Sequence, residues 1–173
     1  MNSYKTDIEC DEWLTQATAD EWNLVVQQCV DATFNAANWR TSSEVSFLFA
    51  NDARVQQLNE QHRNKNEPTN VLSFPLLSFT RPAIPADAEQ SILASTSEQC
   101  ELCLLGDVVL SYDTVLKESK LLGRSFLGHT FHLMTHGVLH LLGYDHEKDS
   151  EAFLMESLEI MILQQFDIPS PYA

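Results

Sequence analysis

His136-Gly137-Val138-Leu139-His140-Leu141-Leu142-Gly143-Tyr144-Asp145-His146 is the stretch from which the rest of the chain is read. Histidines four apart on a helix share one face, with β-carbons about 6 Å apart, so both imidazoles can reach one small cation. Gly143 is a helix stop, because a residue without a β-carbon enters the left-handed conformation at low cost. The chain reversal it allows can carry His146 back toward the same point. Three neutral imidazoles with a fourth position left for water form the ligand set of an open, catalytic zinc site. The expectation is one Zn²⁺ per chain held by His136, His140 and His146. Imidazole also suits nickel, copper and iron.

This spacing is similar to that of the metzincin zinc proteases, H-E-x-x-H-x-x-G-x-x-H. Gly137 stands where those proteases carry their glutamate base. The metal frame is therefore kept and the peptide-cleaving base is missing. Hydrolysis of an amide or peptide bond is an alternative that the spacing raises and Gly137 counts against.

The histidine stretch, taken with Leu58-Asn59 through Arg63 to Pro68-Thr69-Asn70-Val71-Leu72-Ser73-Phe74-Pro75 and with Leu105-Gly106-Asp107-Val108-Val109, resembles the YbeY family of bacterial endoribonucleases. The three stretches occur in the family's order, and the resemblance covers most of the chain from about Val45 onward. It implies a single-strand-specific, metal-dependent endoribonuclease of rRNA maturation, acting at the 16S rRNA 3′ end and in ribosome quality control. The partners it implies are rRNA and the small ribosomal subunit or its assembly factors, with no DNA. A non-catalytic assembly factor with a structural zinc is a further alternative. The resemblance also places Arg63 near the metal as the catalytic residue. A guanidinium fork can grip a phosphate through two hydrogen bonds and stabilise the charge that develops on it.

The 173 residues fit a single domain, and 44 % hydrophobic content describes a globular chain. No apolar run approaches the ~20 residues of a membrane span, and the first residues lack the apolar core of a secretory signal. A cytoplasmic protein is expected, with its cysteines as thiols. Cys100 and Cys103 form a C-x-x-C pair, but no second pair completes a zinc site and no helix follows to make a redox site. The net charge of −15 argues against a protein that coats nucleic acid. RNA contact must then be local, through Arg63 and Lys65 or through Lys117, Lys120 and Arg124.

The fold class expected is α+β: a small mixed β-sheet of about four strands, packed with about five helices, with the metal site at the C-terminal end of a central helix. Strands are predicted over residues 4–10, 44–50, 70–74 and 101–110. Thr18 and Glu21 have capping-box spacing for a helix running to about Ala37. Asn51 or Asp52 caps a helix ending near His62, and further helices are predicted over 111–121 and 125–142. A last helix from about Asp149 is predicted to turn Phe153, Leu154, Leu158, Met161, Ile162 and Phe166 inward. The Pro- and Ala-containing residues 77–99 read as a mobile insert.

His132 falls one turn before His136. Each i+4 step drifts ~40° around the helix, so His132 is predicted beside the site, supporting it, facing substrate or simply packing, and not as a ligand. Asp145 is expected either to orient a ligating histidine or to cap its own turn. Asp107 is expected to be structural at a strand start, and His129 and His62 to be surface or structural.

Overall fold

The computed structural model describes residues 2–79 and 102–173. In chain order the elements are β1 (Ser3–Ile8), a 3₁₀ turn (Asp11–Thr15), α1 (Ala19–Ala36), β2 (Ser43–Ala50), α2 (Asp52–Arg63), β3 (Val71–Pro75), β4 (Cys103–Ser111), α3 (Tyr112–Leu121), α4 (Phe126–Leu141) and α5 (Asp149–Gln164). The α+β expectation holds. The strand order is β1-β2-β4-β3, with β1, β2 and β4 parallel and β3 antiparallel at the edge.

Local chemistry explains where the helices start and stop. Thr18 accepts from the Glu21 N–H and the Glu21 carboxylate accepts from the Thr18 N–H, so the predicted capping box forms at α1. Asn51, and not Asp52, caps α2. Ser125 caps α4 by accepting from Gly128 N–H. Asp52 instead accepts from Ser111 and Thr114, tying α2 to the start of α3.

β2 is interior, as its apolar content predicts. Val45, Phe47 and Phe49 face a core that includes Trp22, Val26, Met134, Val138 and Leu141 from α1 and α4. Leu48 faces the opposite way, onto a smaller cluster of Ala50, Val55, Leu72 and Val109 beneath α2. β4 carries a bulge: Glu44 pairs with Leu104 and Val45 with Gly106, leaving Leu105 as the extra residue. Gly106 has φ 138°, and a β-carbon there would lie 2.2 Å from the Phe74 carbonyl oxygen. Only glycine lets β3 and β4 approach this closely at the bulge.

Of the stretch read as a mobile insert, only the start is described. Leu77 and Phe79 pack against the main core, and the Phe79 ring meets Trp39 at 5.9 Å between centroids. Residues 80–101, which hold most of the supposed insert and Cys100, lie outside the described residues.

The expectation for α5 is corrected in part. Leu158, Ile162 and Phe166 turn inward as predicted, whereas Phe153 is 74 % exposed and Leu154 and Met161 are also exposed. The buried residues of the helix are Met155, Glu159, Ile162 and Leu163. The stripe at i, i+4, i+7 and i+8 contains a carboxylate, so a search for apolar periodicity selects a rotated face.

Candidate metal centre

α4 lies against β3 and β4 on one side and α1, α3 and α5 on the others. Its contact with the sheet is close at Gly137. A β-carbon there would sit 2.7 Å from Val108 Cγ1, and the Ser73 hydroxyl donates to the Gly137 carbonyl at 3.2 Å. The position occupied by the base in metzincins therefore faces the sheet here and has no room for a side chain.

His136 and His140 lie on the neighbouring face. After Leu142 the helix ends in a Schellman arrangement: Gly143 N–H donates to His140 O at 3.0 Å and Tyr144 N–H to Leu139 O at 3.1 Å, with Gly143 at φ 84°. The turn brings His146 back, as the sequence predicts. One ring nitrogen from each of His136, His140 and His146 lies within 4.8 Å of the others.

The tautomers follow from the partners. His136 Nδ1 is 2.7 Å from Glu159 Oε1, and His140 Nδ1 is 3.0 Å from the Tyr144 carbonyl. A carboxylate and a carbonyl only accept, so each Nδ1 carries the proton and each Nε2 presents a lone pair. The two Nε2 atoms are 3.0 Å apart. Bare lone pairs at that distance repel unless a positive charge lies between them. Tetrahedral zinc with bonds of ~2.0–2.1 Å spaces its ligand nitrogens by roughly 3.3 Å, close to this separation. Burial, reinforced by His136 and His146, pushes the His140 pKa down to about 4, so its ring is neutral at ordinary pH.

Glu159 makes the strongest electrostatic case. It is fully buried. His136 approaches Oε1; His132 Nε2 at 3.2 Å and the Tyr172 hydroxyl approach Oε2. Burial raises its pKa, but the hydrogen bonds it accepts from His132, His136 and the Tyr172 hydroxyl outweigh this and hold it at about 2. No Lys or Arg pairs with this carboxylate among the described residues. A buried charge requires compensation. A cation held by the histidines would supply it through His136, the carboxylate–histidine–metal arrangement common at zinc sites. The residues present thus fit a divalent metal.

The other candidates are distributed unevenly. Arg63, at the last turn of α2, is exposed and lines the same cavity, of about 620 Å³, as the three histidines, Asn70 and Ser73. It also borders a second cavity of about 730 Å³ on the opposite face of β3, walled by Phe74, Leu58 and Asp107. Lys65, Lys117 and Lys120 do not line the histidine cavity, and Arg124 Nη2 is committed to the Pro171 carbonyl at 2.7 Å.

Asp145 caps its turn, accepting from His146 N–H at 2.7 Å; the Tyr144 carbonyl, not Asp145, orients His140. Asp107 is exposed in the body of β4, not at its start. His129 is buried against Glu118 at 2.8 Å, and exposed His62 lies over Phe74. His132 reaches the site through Glu159, in the supporting role. Sequence reading missed Glu159 and Tyr172. Glu159 carried a usable signal: a lone acid in register with the apolar positions Met155, Ile162 and Leu163.

Fold and site define an α+β protein with a three-histidine group able to hold a metal ion. A family model described as Endoribonuclease YbeY matches residues 7–167. A relative from Bartonella bacilliformis with that name is 42 % identical, over 99 % of this chain and 98 % of its own length. Another from Rhodopseudomonas palustris is 40 % identical, over 96 % of this chain and 89 % of its own. One from Rhodospirillum rubrum is 47 % identical, over 77 % and 60 %. A solution structure of a Thermotoga maritima protein shares the fold, with TM-score 0.53 and 15 % identity over 95 % of this chain and 91 % of its own. The chain belongs to the YbeY endoribonuclease family.

Proposed function

We propose that this chain is a single-strand-specific, metal-dependent endoribonuclease of rRNA maturation, with one zinc ion bound by His136, His140 and His146. The observation that carries the reading is one cavity lined by both the histidine group and Arg63. Family membership supports the RNA substrate. When bound, a divalent ion supplies Lewis acidity and lowers the pKa of a coordinated water toward 7.

The protein's part is positional. Glu159 and the Tyr144 carbonyl hold the Nδ1 protons of His136 and His140 and so aim both Nε2 atoms. Arg63 is exposed and lines the cavity, and its guanidinium fork suits a phosphate held there. It orients the scissile group and stabilises the charge that develops there. Gly137 supplies no base, which counts against peptide hydrolysis. With a net charge of −15, RNA engagement rests on this local contact and on delivery by partners, for which the small ribosomal subunit and its assembly factors in the cytoplasm are the natural setting. Among the described residues no helix is long and apolar enough to cross a membrane.

The test is cleavage of single-stranded and structured rRNA fragments by zinc-loaded protein, with His136→Ala as the control. Wild type should cut single strands and the variant should not. Equal cleavage by both would mean a contaminant. Peptide turnover without RNA cleavage would transfer the site to amide chemistry.

A further inference from the structure

The segment after α5 folds back onto the metal centre's supporting carboxylate. Asp167 takes a left-handed φ of 54°, and the chain returns along α4 through Ile168. Arg124, between α3 and α4, holds the Pro171 carbonyl at 2.7 Å. The next residue, Tyr172, donates its hydroxyl to Glu159 Oε2 and sets its ring edge-on to His132, 6.0 Å between centroids. Tyr172 is itself 46 % exposed, whereas Glu159 is 0 % exposed. One polar atom of a surface side chain thus reaches a buried anion.

We propose that Tyr172, anchored by Arg124, is a positioning residue for the metal centre. This rests on the reading that the histidines bind metal. A glutamate has three side-chain rotors, and its two oxygens are equivalent until donors distinguish them. Tyr172 and His132 both occupy Oε2, which leaves Oε1 to His136 Nδ1. With Oε1 fixed, His136 stays in the tautomer and ring orientation that present Nε2 beside His140. Loss of the Tyr172 hydroxyl frees one side of the carboxylate to rotate or hydrate, and the constraint on His136 relaxes. Partners bonded directly to a ligating histidine, as Glu159 is to His136, typically change metal affinity about 10–100-fold, and Tyr172, one bond further out, acts at the low end of that range.

The test uses the full chain, stripped of metal and reloaded. Zinc affinity is measured by competition with a chromophoric chelator. The ligand field is read from the visible spectrum of the cobalt(II)-substituted protein, and the fold from circular dichroism. Tyr172→Phe keeps the ring and removes the hydroxyl. It should weaken zinc about tenfold and shift the cobalt bands while the fold is retained. Glu159→Gln should act in the same direction and more strongly, and Arg124→Gln should reproduce part of the Tyr172→Phe effect.

Wild-type zinc affinity and cobalt spectrum in Tyr172→Phe would overturn the proposal, even if Tyr172→Ala were impaired, because the ring alone would then matter. A wild-type chain that binds neither zinc nor cobalt would instead remove the metal reading beneath it.

Discussion

His136 Nδ1 lies 2.7 Å from Oε1 of Glu159, a carboxylate with no exposed surface. This contact gives the site both its direction and its charge. The carboxylate holds the Nδ1 proton, so Nε2 faces His140, and the buried anion would favour a cation at the histidine group.

Metal content follows from the ligand set. Protein purified without a histidine tag should carry about one equivalent of zinc. His140→Ala should lose most of it, since a site of two imidazoles lacks the third ligand of open zinc centres. Elemental analysis of both proteins checks this, and full occupancy in the variant would mean the ion binds elsewhere.

Arg63 should separate chemistry from metal binding, because a guanidinium is not a metal ligand. Arg63→Ala should keep zinc and fold and lose about a hundredfold in single-turnover RNA cleavage, a typical loss of ~3 kcal/mol for one charge-assisted transition-state contact. Arg63→Lys should recover only part, since an ammonium keeps the charge but not the fork. A wild-type rate in Arg63→Ala would move the phosphate contact elsewhere.

Gly137 is fixed by packing. Its β-carbon position lies 2.7 Å from Val108 Cγ1. Gly137→Ala should cost about 1–3 kcal/mol of overpacking, measured by denaturant unfolding. Gly137→Glu should cost more and gain no peptidase activity. A stable Gly137→Glu variant that cleaves peptides would show that the base position is open after all.

The face of α5 can be tested by paired substitutions. Met155→Ala, in the core, should destabilise by about 2–5 kcal/mol. Phe153→Ser, at a position 74 % exposed, should fall within about 0.5 kcal/mol of wild type. Thermal or urea unfolding distinguishes this from the apolar-periodicity prediction, which reverses the expected cost at Phe153.

The acid limb of stability should carry a signature of His129. Burial pushes its pKa below the ordinary 6.5, with Glu118 opposing only in part. The unfolded chain therefore takes up the proton first as pH falls. Stability present above about 6.5 should be lost as pH drops through that value toward the lower folded pKa. In metal-free protein His140 adds a contribution of the same sign. His129→Gln should flatten part of the slope in urea unfolding followed from pH 7.5 to 5; an unchanged slope would exclude His129 as its source.

What the sequence by itself determined lies within short stretches. Four-residue spacing puts His136 and His140 on one face, and Gly143 supplies the left-handed residue that returns His146; backbone geometry over adjacent residues settles both. The Thr18 capping box, the α+β class and the interior position of β2 were legible for the same reason, since local hydrogen bonding and side-chain alternation encode them.

Tertiary structure decided what those residues meet. Glu159 is 23 positions from His136 in sequence, and only the packing of α5 on α4 turns a charged residue inward. Once it is inward, the apolar stripe it interrupts no longer marks the buried face. Asp145 adjoins His146 and could have oriented a ligand, but the Schellman turn aims the Tyr144 carbonyl at His140 instead. Arg63 lines the histidine cavity because the last turn of α2 packs over β3, where His62 meets Phe74, a placement no local pattern specifies.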